Sequence, residues 1–84
     1  MSLQTIDRAL DVLCAFTSRD ELGVSELARM LDLPKSAIHR AIETLTSRGF
    51  LEQGINRRYR LGLKVLELGN VCRLRMEQIG RAHV

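Results

Sequence analysis

The sequence predicts a mostly α-helical domain with one small two-stranded β-hairpin. Apolar residues recur every three or four positions in four stretches, which is the period of a helix with one buried face. A fifth stretch, residues 50–61, places two short β-prone runs on either side of a turn-rich segment. A chain of 84 residues holds one small domain and leaves little room for an enclosed catalytic cleft.

The first helix ends near Phe16, and Ser2 or Thr5 can cap its start. Its apolar positions are spaced by three and four, and they are Leu3, Ile6, Leu10, Leu13 and Cys14. Cys14 and Cys72 both stand at apolar positions of predicted helices, far apart in sequence. We therefore interpret them as reduced thiols in the core.

The second and third helices are separated by a tight turn. We predict the second helix over residues 25–31, with Ser25 as its N-cap and Glu26 in its first turn, where a carboxylate favours the helix dipole. Residues 32–34 turn the chain, and Pro34 occupies or precedes the first position of the third helix, where its missing N–H costs nothing. The third helix runs to residue 48, and Gly49 is its left-handed stop.

Two antiparallel strands follow, at residues 50–53 and 59–61. Helix, helix, turn, helix and hairpin form, in that order, a winged helix-turn-helix. We place this DNA-binding domain at residues 1–62, with the helix-turn-helix at about 24–43 and the wing at about 50–61.

A fourth, linker helix is predicted over residues 63–84. Its apolar positions are spaced by three, four, four and three, and they are Val65, Leu68, Cys72, Met76 and Ile79. Such a stripe is typical of a packing or dimer seam.

The third helix has two chemically different faces. Its apolar positions follow the i, i+3, i+4, i+7 pattern and predict a core face, which consists of Ile38, Ala41, Ile42 and Leu45. The opposite face is polar, and it consists of Ser36, His39, Arg40, Glu43 and Ser47. Side chains of these types reach base edges or phosphates from a helix lying in the major groove of double-stranded DNA. Lys35 and the free N–H groups of the first turn suit a phosphate.

Positive charge is concentrated in the middle of the chain. Residues 32–64 carry seven basic and three acidic residues, a net charge of +4 in a chain whose total is +3. Arginines outnumber lysines eleven to two, which favours bidentate contact with phosphate or guanine. Arg57 and Arg58 lie at the turn of the wing, where they can reach the flanking backbone. The sequence thus predicts a non-enzymatic, sequence-specific binder of double-stranded DNA.

Other interpretations explain parts of the same pattern. Arg40 and Glu43 are three residues apart and can form a solvated ion pair. A winged-helix module that binds an acidic protein partner is the main rival. RNA is disfavoured because this fold fits the B-form major groove.

No nucleophile with a paired base, Gly-rich phosphate loop or metal-ligand spacing indicates an enzyme, a cofactor or a metal, although two cysteines with His39 and His83 could supply four zinc ligands. No apolar run is long enough to span a membrane, and we expect a cytoplasmic protein.

The sequence also resembles the isocitrate lyase regulator (IclR) family of bacterial transcription factors. The resemblance is carried by TIDRALDVLCAF, SELARMLDLPKSAIHRAIETLTSRGFLEQ and YRLGLKVLELG, and it reaches about Gly69. It implies a homodimer that binds palindromic operators as a repressor or activator, pairing through its first and linker helices. It also implies an effector-binding domain after the linker helix, which is absent from this chain, so that a small-molecule effector would act only through that missing domain.

The match to the family pattern is intact at four positions, and the resemblance implies DNA contact by Lys35, Ser36, His39 and Arg40. Two positions depart from it. Asp32 stands where the family usually has Gly, and the turn should survive because Asp tolerates the left-handed region better than most residues. Ala37 stands where Thr is usual, which removes one hydroxyl. For Arg57 and Arg58 the expectation rests on wing geometry, because the family varies there.

Overall fold

The protein is described by a computed structural model that covers residues 3–82, with side chains described for residues 3–79. The predicted fold class is confirmed, because four α-helices and one antiparallel hairpin follow one another in the expected order. Ser2 and His83, which the sequence offered as a helix cap and a metal ligand, lie outside the described residues. The elements are α1 (Leu3–Cys14), α2 (Val24–Leu31), α3 (Lys35–Ser47), β1 (Leu51–Gln53), β2 (Tyr59–Leu61) and α4 (Leu63–Ala82), with single 3-10 turns at Ala15–Thr17 and Ile55–Arg57.

One apolar core lies where α1, α2 and α3 meet β1. The predicted inner face of α3 is confirmed, since all four of its apolar residues are buried. The remaining core side chains come from α1 and the segments around it, from α2 and from β1, and they are Val12, Phe16, Leu22, Leu27 and Leu51.

The predicted inner face of α1 is wrong for most of its length. The core takes Val12, with Ala9 and Leu13 packed beside it. Leu3, Ile6 and Leu10 are exposed on the other side of the helix. The cause is that α1 carries apolar residues on two sides, and both sets have helical spacing.

The interpretation of Cys14 and Cys72 as core thiols is also wrong, since both are free and exposed. Cys14 belongs to the outer side of α1. Cys72 lies on α4, which extends away from the body of the domain and exposes all its side chains from Leu66 to Ile79. Twenty residues of helix span about 30 Å, which agrees with a longest molecular dimension of 47 Å.

Asp32 and Pro34, at the two ends of the turn before α3, adopt the conformations that the sequence predicts. Asp32 lies in the left-handed region with φ 55° and ψ 49°, as the C-cap of α2. Pro34 precedes α3, and its carbonyl oxygen accepts hydrogen bonds from the amides of Ala37 and Ile38 at 3.0 and 3.2 Å. The predicted N-cap of α2 is wrong by two residues. Gly23 is the N-cap, because its amide donates a hydrogen bond to the carboxylate of Glu26 at 3.0 Å and so fixes the start of the helix there.

The hairpin pairs with a segment that the sequence did not identify as β. Within the hairpin, Gln53 lies opposite Tyr59. Leu22 then forms an isolated antiparallel bridge to Tyr59, with N–H to O distances of 3.0 and 2.8 Å. The wing is therefore attached by backbone hydrogen bonds to the residue that lies two positions before α2.

Candidate nucleic-acid interface

The outer face of α3 is a polar surface that is open to solvent. All five of its predicted polar residues are exposed, and so is Lys35 at the first position of the helix. Pro34 offers no side-chain acceptor to the first-turn amides. The amides of Ala37 and Ile38 donate to the Pro34 carbonyl oxygen, so those of Lys35 and Ser36 remain available to an anion, together with the positive end of the helix dipole. Ser47 is less available, because its hydroxyl donates to the carbonyl oxygen of Thr44 at 2.8 Å.

The cations of this surface have different surroundings. Among the side chains of residues 3–79, Lys35, Arg40 and Arg57 form no ion pair. The alternative ion pair of Arg40 with Glu43 is thus not formed. The charges of these three cations are therefore not balanced by a described side chain.

A cleft of about 470 Å³ separates the start of α3 from the wing. Four of the predicted residues line it, namely Lys35, His39, Arg57 and Arg58. A second open groove of about 410 Å³ continues along α3 and is lined by Glu43. The two share His39, Gln53 and Tyr59, so the polar face of α3 and the wing border one continuous depression.

Two predicted residues lie outside this depression. Ser36 is exposed on the first turn of α3. Arg40 lines a small notch between α1 and α3 together with Arg8, which the sequence did not single out. Only the packing of α1 against α3 brings the two arginines to one notch, so no sequence pattern could have indicated Arg8. Asn56 and Tyr59 also line the cleft and were missed, because it is the position of the wing beside α3 that brings them there.

The turn of the wing has an unusual backbone. Asn56 and Arg57 both have φ 59°, in the left-handed region that only a few per cent of non-glycine residues adopt. Arg57 is exposed at this turn. Arg60 is paired across the hairpin with Glu52 at 2.6 Å, and this carboxylate raises the pKa of the Arg60 guanidinium.

Arg58 is held by α2 and the segment before it. Its Nη1 lies 2.8 Å from Oε1 of Glu26, and its Nη2 donates to the carbonyl oxygen of Glu21 at 3.0 Å. The Gly23 amide that donates to Glu26 lowers the pKa of this carboxyl, and the guanidinium of Arg58 acts in the same direction. The Glu26 side chain is therefore a carboxylate at neutral pH.

The described residues contain no group of three His, Cys, Asp or Glu side chains that could hold a metal ion. Over residues 3–82, no helix is both long and apolar enough to cross a membrane.

Residues 5–54 match the family of the IclR helix-turn-helix domain. Among curated proteins the chain is similar to the HTH-type transcriptional regulator XynR of Escherichia coli, with 34% identity over 81% of this chain and 28% of the relative. It is also similar to the HTH-type transcriptional regulator KipR of Bacillus subtilis, with 31% identity over 88% of this chain and 30% of the relative. The chain thus spans less than a third of the length of these relatives.

Solved structures give the same result. An IclR family transcriptional regulator from Brucella abortus has a TM-score of 0.76 and 33% identity, over 84% of this chain and 28% of that one. Pseudomonas aeruginosa HmgR has a TM-score of 0.81 and 26% identity, over 89% of this chain and 33% of that one. The similar proteins are named as transcriptional regulators, which are not enzymes, as the sequence predicted for this chain.

Proposed function

This chain belongs to the IclR family of helix-turn-helix transcriptional regulators, and from that membership we propose that it binds double-stranded DNA sequence-specifically. The observation that carries the proposal is the exposed polar face of α3 beside a wing that borders the same depression. A helix presented in this way fits the width of the major groove, and a wing beside it can reach the flanking backbone.

Each predicted site residue except Arg58 has a proposed contact with DNA. Ser36, His39, Arg40 and Glu43 face the base edges, and Arg40 is suited to bidentate contact with guanine. The side chain of Lys35 and the first two amides of α3, those of Lys35 and Ser36, hold a phosphate. Arg57 is exposed on the wing and unpaired among residues 3–79, which supports its assignment to a flanking phosphate. These contacts would lie within residues 1–62, the proposed DNA-binding domain.

We further propose a homodimer that recognises a palindromic operator. Two exposed apolar surfaces support this, because isolated domains rarely expose so many large apolar side chains on two helices. One is the outer side of α1 with Leu3, Ile6 and Leu10, and the other is α4 within residues 63–84, the proposed linker. A two-fold dimer would present two copies of α3 to two half-sites about one helical turn apart.

Regulation by a small molecule would involve a part of the protein beyond these 84 residues, since the chain spans less than a third of its relatives. The proposed partner is bacterial DNA, and this supports the expected cytoplasmic location. Action as a repressor or as an activator fits the family equally well.

Selection from a random pool of duplex DNA at near-physiological salt tests the proposal. An enriched inverted repeat is expected, and its half-site spacing reports the separation of the two copies of α3. A single enriched half-site would contradict the dimer and leave DNA recognition intact. Absence of enrichment, with retention that does not depend on salt, would overturn DNA binding in favour of an acidic protein partner, because log affinity for DNA falls by about 0.9 per phosphate for each unit of log salt.

A further inference from the structure

The guanidinium of Arg58 binds acceptors within the protein. One edge meets the carboxylate of Glu26 at 2.8 Å, while the other donates to the carbonyl oxygen of Glu21 at 3.0 Å. The carboxylate of Glu21 lies 3.9 Å from Nε. The Arg58 side chain is 38% exposed, against 24% for Glu26, so the pair is only partly shielded from solvent. Three contacts of one side chain with two residues fix its position with respect to α2.

The same residue closes the loop of the wing. The carbonyl oxygen of Arg58 accepts a hydrogen bond from the amide of Gly54 at 2.7 Å. The amide of Arg58 donates one to the carbonyl oxygen of Ile55 at 3.3 Å. Arg57 lies inside this closed loop with φ 59°, a backbone conformation that costs free energy for a residue with a β-carbon. Such a conformation persists where the surrounding structure holds it on both sides. For Arg57, the fixed neighbour on the C-terminal side is Arg58.

The two wing arginines therefore differ in electrostatics. The charge of Arg58 is balanced by two acidic neighbours, and a phosphate would have to compete with the existing 2.8 Å contact to Glu26. The charge of Arg57 is unbalanced among the described side chains, and it faces the cleft that Lys35 also lines. Of the two wing arginines, Arg57 should then account for most of the counterion release on binding DNA.

We infer that Arg58, fastened by Glu26 and Glu21, is a positioning residue that fixes the wing on α2 and holds Arg57 in place for a flanking phosphate. This inference rests on the proposed DNA binding and assigns a role to two acidic residues beside the interface. It replaces a direct phosphate contact for Arg58, which the sequence suggested from its place in the wing.

The two roles give opposite expectations for Glu26→Gln. If Arg58 contacted phosphate directly, removing a nearby negative charge would strengthen binding to DNA. If Glu26 fastens the wing, the same change weakens binding. Glutamine keeps a side-chain oxygen that can accept the Gly23 amide, so the start of α2 is preserved.

The experiment measures binding of the pool-selected duplex over a range of salt by wild type, Glu26→Gln, Arg57→Gln, Arg58→Gln and the double variant Arg57→Gln/Arg58→Gln. We expect Glu26→Gln and Arg58→Gln each to weaken binding, by up to about fivefold. In the Arg57→Gln background, Arg58→Gln should cost less than about twofold, because the cation that it positions is already gone. Hydroxyl-radical footprints of Glu26→Gln and Arg58→Gln should lose protection at the flank and retain it at the α3 contact, which a general loss of stability would not produce.

Tighter binding by Glu26→Gln would overturn the inference. Independent losses by the two arginine variants, each with a salt slope lower by about 0.9, would do the same. If the wild type binds no duplex, the proposed function fails and the fastening is tested in the free protein. There Arg58→Gln and Glu26→Gln should speed exchange of the backbone amides at positions 54 and 58 at least tenfold relative to Leu27 in α2, and unchanged exchange would refute the fastening itself.

Discussion

The backbone of Gly62 passes so close to Gly49 that a β-carbon at position 62 would overlap the carbonyl oxygen of Gly49. The contact joins the end of α3 to the start of α4. Two hydrogen bonds lie beside this contact. The amide of Gly62 donates to the carbonyl oxygen of Phe50 at 2.8 Å, and the amide of Lys64 donates to the carbonyl oxygen of Gly49 at 3.1 Å. The direction in which α4 leaves the domain is therefore set by backbone groups at one crossing.

This crossing predicts that Gly62→Ala destabilises the protein. The obstacle is backbone on both sides, which cannot move aside as a flexible side chain can, and we expect a loss of about 1–3 kcal/mol in the free energy of unfolding. Gly69→Ala is the matched control, because a β-carbon there meets nothing within 4 Å. In the interior of α4 it should raise stability by up to about 1 kcal/mol. Urea denaturation at equal protein concentration measures both, and a Gly62→Ala variant as stable as wild type would contradict the crossing.

The elements that the sequence predicted well are those with one apolar face. In α3 the inner residues occupy a single helical stripe, so burial followed directly from spacing and the polar face opposite it was placed correctly. In α1 two apolar stripes compete, and spacing alone does not decide which one meets the core. Packing against α3 selects Val12 and leaves Leu10 outside.

Contacts between residues distant in sequence lay beyond prediction. The bridge between Leu22 and Tyr59 has one residue on each side, so no alternation of apolar and polar residues indicates it. The contact of Arg58 with Glu26 joins the wing to α2 across 32 positions in the chain. The sequence showed only that a basic residue lies in a turn, and its partner became visible once the fold brought α2 beside the wing.

The left-handed C-cap at Asp32 predicts a dependence of stability on residue type. Its φ of 55° favours Gly and tolerates Asp or Asn, while other residues lose about 1–2 kcal/mol there. Asp32→Ala should therefore destabilise by about 1 kcal/mol, and Asp32→Gly should be neutral or stabilising by a similar amount. Asp11→Ala makes the same chemical change at an exposed right-handed position of α1 and should not destabilise. Thermal unfolding separates the cases, and equal losses for Asp32→Ala and Asp32→Gly would show that the backbone conformation is not the cause.

The exposed apolar stripe of α4 predicts how the proposed dimer can be disrupted. Leu68 is 56% exposed, so a charge at this position should leave the folded domain intact. In a dimer seam the same charge would be desolvated, and Leu68→Glu should shift the protein to monomers. Asn70→Glu places the charge on the opposite side of α4 and should leave the assembly unchanged. Sedimentation equilibrium distinguishes the outcomes. If both variants self-associate as strongly as the wild type, the stripe is not the dimer seam.

The proposed contact of Arg40 with a base edge predicts a loss of discrimination. Arg40 is exposed on α3 and forms no ion pair within residues 3–79, so truncation removes a contact to DNA without leaving a protein group unpaired. Arg40→Ala should lower the preference for the selected duplex over random duplex by about 1–3 kcal/mol at constant salt. Arg75→Ala, on α4, removes the same charge away from α3 and should leave that ratio unchanged. Competition binding with both duplexes measures the ratio, and equal weakening on the two duplexes by Arg40→Ala would assign Arg40 to the phosphates instead of the bases.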